Sequence, residues 1–358
     1  MMSSADETGL VASADAFDLL AGEWSGFQQA QENPLLGPLW FGAAQSAVNG
    51  TVRILTVRRD GQLVALAPLA EEQRLGARQL GFIGAGLLYH PGDLIASDAP
   101  ALESLCESIV GLRLPVALLR IEQDGAAARA FAAACRGRGR LFPVLSPPTL
   151  QVNLRDGWDT YLATRSTKLL ADIRRKVRKL ESTGKIQLEF LQPAPSELDA
   201  CLEEAMDVEA DGWKGKKGSA LRHNTPIRQF VSALASLYAA SGRLCVNFLR
   251  VNGTAVAMCI MMEHGGRLWG VKRGYREAFN QYSPGKILLQ ETLRNICERS
   301  LDGYEFLGSG DPMQPAWATG ERPLQSLVYY PYSFQGALAF AGDVASLPIR
   351  RLARLIGR

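Results

Sequence analysis

Val57-Arg58-Arg59-Asp60-Gly61-Gln62-Leu63-Val64-Ala65 and Leu249-Arg250-Val251-Asn252-Gly253-Thr254-Ala255-Val256-Ala257 are the two stretches on which the fold turns. Each sets β-rich residues around an Asp-Gly or Asn-Gly dipeptide, the strongest short-range signal of a two-residue hairpin turn. They share an Arg, the turn and a Val-Ala. Asp/Asn-Gly turns are common enough for one such match to arise by chance. Outward from each hairpin, however, the same order follows: a strand (79–83 or 268–274), a helix (98–112 or 284–300) and a strand (116–121 or 303–307). That shared order favours a duplication over coincidence. The expected fold is mixed α/β (α+β), two similar lobes in tandem, each a mostly antiparallel sheet flanked by helices.

The remaining segments fit this frame. Apolar positions predict helices over 17–30 and 38–48. The stretch 142–148, with Pro143, Pro147 and Pro148, reads as a connector. A long helix over 158–183 places Leu169, Ile173, Val177 and Leu180 on one face, with Lys168, Arg174, Arg175, Lys176, Arg178 and Lys179 around the rest and Gly184 as its cap. A strand (186–191), a helix (197–210), a Gly- and Lys-rich loop (212–218) and a helix (226–241) lead to the second hairpin. The lobes are set at 10–145 and 150–335, with an amphipathic basic tail at 336–358.

With 358 residues, 47% hydrophobic and 21% charged, the chain has room for about two globular domains. Lys+Arg 39 against Asp+Glu 36 leaves +3, too little for bulk attachment to nucleic acid. The six cysteines are scattered without a Cys-x-x-Cys pair, and the three histidines are unpaired. Reduced thiols, a cytoplasmic setting and no metal are expected. Residues 1–9 are polar, without the apolar core of a signal peptide, and read as a frayed terminus. In the tail, Leu347, Ile349, Leu352, Leu355 and Ile356 alternate with Arg350, Arg351, Arg354 and Arg358. Contact with an anionic membrane and docking on the protein both fit that pattern.

Chemistry concentrates in the second half. In Tyr282-Ser283-Pro284-Gly285-Lys286, Ser283 suits an N-cap and Pro284 the first helical position. Gly285 leaves its amide unshielded and Lys286 adds charge, so the helix start could seat an anion; an ordinary capped helix is the plainer reading. Glu209 falls on the buried stripe of its helix, where a carboxylate needs either a task or an ion-pair partner. Trp213 and Lys214 follow in a loop. Asp311 leaves a strand in Gly308-Ser309-Gly310-Asp311, either near a ligand or as a plain turn residue. Tyr275, Tyr282 and Tyr304 lie close by in sequence and could supply a hydroxyl, although tyrosine is also common at core edges.

Taken in order, Glu209 with Trp213-Lys214, the Asn-Gly hairpin ending in Val256-Ala257, Tyr275, Tyr282 to Gly285 with Leu288-Leu289, and Gly308 to Asp311 before Trp317 resemble the CelD/BcsL-type branch of the GNAT acyltransferases, relatives of the FemAB aminoacyltransferases. The basic segment Arg165-Ser166-Thr167-Lys168 through Gly184 fits the same pattern. The resemblance spans roughly 33–317. It implies acyl transfer from acetyl-CoA, or another acyl-CoA, to an amine or hydroxyl of a small-molecule or saccharide acceptor in exopolysaccharide or cell-envelope synthesis. It further implies Glu209 as base assisted by Asp311, Tyr275 or Tyr304 as acid, Trp213, Lys214 and Trp317 on the acceptor side, and Tyr282, Ser283, Gly285 and Lys286 at the donor's phosphates. Tyr89-His90-Pro91-Gly92-Asp93 echoes that seat in the first lobe, but a carboxylate there repels phosphate, so that lobe is structural or acceptor-binding. The alternatives are a FemAB-like enzyme using charged tRNA, with the basic helix as its contact, and a non-catalytic accessory of a membrane-bound glycan synthase.

Overall fold

Both Asx-Gly turns form as their chemistry requires. Asp60 and Gly61 lie at φ 52° and 78°, Asn252 and Gly253 at 50° and 80°. Two consecutive left-handed residues match the twist of the flanking strands, which few other dipeptides allow. The computed structural model describes residues 6–11, 16–47, 50–212, 221–308 and 313–356, and the chain divides into two units.

The first unit takes residues 1–85, 90–147 and 323–358. It contains β1 (Glu7–Val11), α1 (Ala16–Ser25), α2 (Gln28–Glu32), α3 (Pro38–Gln45), β2 (Thr51–Arg59), β3 (Gln62–Arg74), β4 (Ala77–Phe82), β5 (Ile95–Ala96), α4 (Ala99–Gly111), β6 (Val116–Glu122) and α5 (Ala126–Ala134). β7 (Gly139–Asn153) starts here and ends in the second unit. Strands β1 to β4 form an antiparallel meander, β6 joins β4 in parallel, and β5 pairs with β3. Leu69, Leu80, Leu105, Ile109, Val116 and Phe131 fill its core.

The second unit, 86–89 and 148–322, holds α6 (Trp158–Ala163), α7 (Thr167–Glu181), β8 (Ile186–Leu191), α8 (Leu198–Ala210), α9 (Thr225–Ala240), β9 (Leu244–Val251), β10 (Thr254–His264), β11 (Arg267–Tyr275), α10 (Pro284–Glu298) and β12 (Gly303–Phe306). Its strand order is β8-β9-β10-β11-β12-β7; β11 and β12 are parallel and the other pairs antiparallel. One face packs Ile173 and Leu180 of α7, and Leu293 and Ile296 of α10, against Leu249, Cys259, Leu268 and Phe306. α8 and α9 cover the other face. The chain then runs through β13 (Gly320–Pro331), which pairs antiparallel with β6, and α11 (Phe334–Ile356).

The duplication is legible atom by atom. Val57 pairs with Ala65 and Arg58 with Leu63, so Val64 is bulged; Leu249 pairs with Ala257 and Arg250 with Ala255, so Val256 is bulged. The shared arginines repeat too. Arg58 reaches Gly61 O (2.7 Å) and the Glu23 carboxylate of α1, and Arg250 reaches Gly253 O (3.3 Å) and the Glu204 carboxylate of α8.

Several expectations change. The reading of 1–9 as frayed fails for residues 6–9: β1 pairs with β2, and Asp6 is held by Arg59 (2.8 Å) and Ser104 (2.7 Å). The proline-rich connector lies inside β7, because proline's fixed φ suits extended backbone; the units nonetheless divide between Pro147 and Pro148. The second lobe ends at 322 rather than 335, since β13 returns to β6. The long helix breaks into α6 and α7 at 164–166, where the Ser166 hydroxyl caps Leu169 N–H (3.2 Å). Tail residues 334–346 are helix, tied down by Asp343 to Arg74 (2.9 Å); the side chains from 347 onward lie outside the described residues.

Ile173 is fully buried at the centre of the α7 stripe. Ile173→Ala is expected to cost about 2–5 kcal/mol, read as a lowered denaturation midpoint, whereas Arg174→Ala on the exposed face should leave it within about 0.5 kcal/mol.

Candidate active site

Parallel pairing between β11 and β12 covers Arg267 with Gly303 through Gly270 with Phe306, and stops there. β11 continues to Tyr275 while β12 ends at Phe306, so the parallel ladder between them ends here. At that point β11 holds one extra residue: Ile260 pairs with Lys272 and Met261 with Gly270, leaving Val271 bulged. A bulge reverses the in-out alternation. Leu268 and Gly270 face α10, as do Arg273 and Tyr275, whereas Lys272 and Gly274 face α8.

Two glycines permit close packing there, a known meaning of glycine inside a strand. A Cβ on Gly270 would stand 2.0 Å from the Tyr304 hydroxyl, and one on Gly274 would stand 2.8 Å from Glu209 Cα. α8 therefore lies directly on the end of β11. Glu209 is 1% exposed, as its stripe position predicts. Its carboxylate accepts the Leu221 N–H (2.8 Å) and pairs with Lys272 Nζ (3.4 Å). Lys272 is thus a partner for the ion-pair reading, and no sequence motif marks it; the spacing Gly270-x-x-x-Gly274 is the one local signal of close packing there.

On the other face, the Tyr275 ring lies 3.6 Å from where a Gly285 Cβ would stand, bringing the end of β11 to the start of α10. Ser283 occupies the N-cap position, but in left-handed backbone (φ 53°) and without a side-chain cap. Its carbonyl instead accepts Lys286 N–H (3.0 Å) and Ile287 N–H (3.3 Å). Pro284 has no N–H, so the Gly285 amide is the first-turn donor left over among the described residues. Lys286 lies near Asp172, whose carboxyl is held below its usual range by Arg175 first, with Lys286 and Lys176 contributing. Part of the basic face of α7 braces this corner. Lys176 Nζ donates to Gln281 O, Lys179 to Gln281 Oε1 (3.3 Å), and Lys179 sits 5.4 Å over the Tyr282 ring.

Glu209, Tyr275, Tyr282, Ser283, Gly285 and Lys286 thus gather at one end of β11, with Glu209 on the opposite face from Tyr275. Tyr304 and Trp317 do not join them: both are fully buried in the core. The Tyr304 hydroxyl packs against Gly270 and Cys259 Sγ (3.7 Å), and Trp317 O accepts the Tyr161 hydroxyl (2.7 Å). Trp213, Lys214 and Asp311 lie outside the described residues.

In the first unit the echo of the seat is displaced. α4 stands between β4 and β6 as α10 stands between β11 and β12, and it begins after Asp98, five residues beyond Asp93. The Asp98 carboxylate accepts Ala101 N–H (2.8 Å) and pairs with Arg59 (2.7 Å), filling that helix start with the protein's own anion. His90 is buried and Asp93 partly buried instead. His90 Nε2 accepts the Trp40 indole N–H (3.0 Å), and burial, with Arg120 nearby, pushes its pKa down to about 3. Burial likewise pushes Asp93 up to about 6, with Glu122 adding to the rise and the Leu94 N–H opposing it.

Residues 167–314 match the acetyltransferase (GNAT) domain family. No curated protein matches the chain in sequence. Solved structures similar in fold include FemX (TM-score 0.59, 11% identity, 90% of this chain and 97% of that one). The C-terminal domain of a putative lysylphosphatidylglycerol synthetase from Agrobacterium fabrum matches at TM-score 0.56 and 11% identity, over 94% and 97%. A tandem GNAT protein from the clavulanic acid biosynthesis pathway matches at TM-score 0.51 and 14% identity, over 91% and 100%. The fold is therefore a tandem GNAT fold, as the resemblance implied, with the two similar lobes that the paired hairpins led one to expect.

A carboxyl with a raised folded-state pKa stabilises the protein fully below its unfolded value near 3.8, and that contribution is lost as pH rises through about 6. Asp93→Asn, neutral throughout, should match the parent below pH 4 and melt higher above pH 6. Equal melting temperatures from pH 4 to 8 would contradict the assignment.

Proposed function

Starting from a GNAT-type acyltransferase with its GNAT domain in the second unit, we propose that this unit transfers an acyl group from acyl-CoA, acetyl-CoA in the simplest case, to an amine or hydroxyl. The acceptor class we propose is a sugar or a cell-envelope or exopolysaccharide precursor. The observation that carries the reading is the end of the β11–β12 ladder at Gly270 and Phe306 while β11 runs on to Tyr275, beside the start of α10. Beyond Phe306 no described strand ladders with the edge of β11 that faces away from β10, and a strand edge of this kind suits the amide groups of a pantetheine arm. The spare Gly285 amide and the Lys286 ammonium fit phosphate oxygens, and the lack of a Cβ at 285 lets a ligand approach the backbone.

The transfer requires a C–N or C–O bond to form at the thioester carbonyl and the C–S bond to break. A proton must leave the acceptor and another must reach the departing sulfur. Glu209 is proposed to accept the first, its carboxylate held by the Leu221 amide and Lys272, with Asp311 assisting. Tyr275 is the proposed donor of the second; it borders the site, whereas Tyr304 is sealed in the core. Trp213 and Lys214 remain the proposed acceptor contacts. Lys176 and Lys179, which a tRNA-dependent reading needs as phosphate contacts, are engaged with Gln281 and Tyr282.

Calorimetry with CoA should give saturable heat with the parent chain and little with Gly285→Glu, which sets a carboxylate at the phosphate seat. Absence of heat with the parent would remove the acyl-CoA reading and favour a non-catalytic role.

With an acceptor in hand, Glu209→Gln should lower kcat by roughly 10²–10⁴-fold and leave CoA affinity unchanged. Full turnover by Glu209→Gln would reduce Glu209 to an ion-pair partner.

A further inference from the structure

In the first unit, α11 presents an apolar face to solvent. From 334 to 346 its exposed positions are Phe334, Ala337, Phe340, Ala341, Val344 and Ala345, without one polar side chain. Phe334 is 79% exposed and Val344 48%. The polar residues of these turns face inward instead. Asp343 accepts from Arg74 (2.9 Å) and the Tyr330 hydroxyl (2.8 Å), and Gln335 accepts the Arg78 N–H (3.0 Å). A helix resting on its own protein puts its apolar stripe inward and its polar residues in water. Here the stripe is in water.

The patch continues onto the neighbouring strands. Phe142 of β7, exposed, stacks on Phe340 (6.1 Å, 20°) and meets Tyr330 edge-on (5.8 Å); Tyr332 is exposed beside them. Contiguous apolar surface of this kind marks an interaction site.

Its rim is cationic. Arg140, exposed, lies two residues before Phe142, on the same side of the strand. Exposed Arg113 donates to Tyr332 O (3.2 Å). The sequence from 347 to 358 carries Arg350, Arg351, Arg354 and Arg358 and no acid. Of the nearby carboxylates, Asp343 is bound inside and Glu107 is paired with Arg138. A second copy of the chain would oppose cations to cations. No described helix is long and apolar enough to cross a membrane.

We propose that this face docks on an anionic lipid bilayer, with α11 lying in the interface: its Phe and Val side chains among the acyl chains and the arginines at the headgroups. The face shares no residue with the proposed donor site, so either proposal can fail alone.

The test is cosedimentation of the full chain with vesicles of phosphatidylcholine alone or with one quarter phosphatidylglycerol. The chain should pellet with the anionic vesicles, several-fold less with neutral ones, and less as salt is raised. Phe334→Ser/Val344→Ser, at positions that support no core packing, should lower the bound fraction by at least about tenfold with an unchanged circular dichroism spectrum and melting temperature. Failure of the parent to bind anionic vesicles, or equal binding by the double variant, overturns the proposal. So does a concentration-dependent dimer that the double variant dissolves in the absence of vesicle binding, which would assign the face to a second copy.

Discussion

A single extra residue, Val271, sets the geometry of the second unit. Without it, the alternation of β11 would carry Lys272 and Gly274 to the α10 side together with Leu268 and Gly270. Glu209 would then meet neither its cation nor the glycine that lets α8 lie on the strand. With it, Lys272 turns to Glu209 while Arg273 and Tyr275 turn to the start of α10. One bulge thus supplies both halves of the candidate site, and it sits where the β11–β12 ladder ends. Burying the Glu209–Lys272 pair brings little net stability, but removing one partner leaves the other charge stranded; the pair is better understood as fixing the register of α8 on β11.

The two units run the same design to different ends. Their hairpins share turn, bulge and arginine contacts. Their crossover helices differ at the first turn. Asp98 fills the start of α4 with a carboxylate, while left-handed Ser283 withdraws its side chain from the start of α10 and leaves the Gly285 amide available. A duplicated fold thereby supports one donor site in the proposed reading, and the other lobe is free to serve as scaffold or acceptor surface.

Local chemistry was legible in the sequence where it acts within a few residues. The Asx-Gly turns, the α7 stripe and the burial of Glu209 each follow from spacing and side-chain type. Features set by partners distant in sequence were not. The bulge at Val271 depends on the register of β10, and the use of 142–148 as strand depends on pairing that proline content does not reveal. The return of β13 to β6 requires knowing that β6 lacks an outer neighbour. The burial of Tyr304 and Trp317 shows the same limit from the side of chemistry: an aromatic near a motif in sequence can face the core, and the strand's parity for Tyr304 and the turn after Gln314–Ala316 for Trp317 decide it.

The central claim is that the donor binds where the β11–β12 ladder ends. Hydrogen exchange of the full chain with and without CoA tests it most directly. The account predicts added protection of amides 271–275 and of Gly285, with residues 98–101 of the first unit unchanged. Protection at 98–101 with none at 271–275, or no change anywhere at saturating CoA, would contradict it.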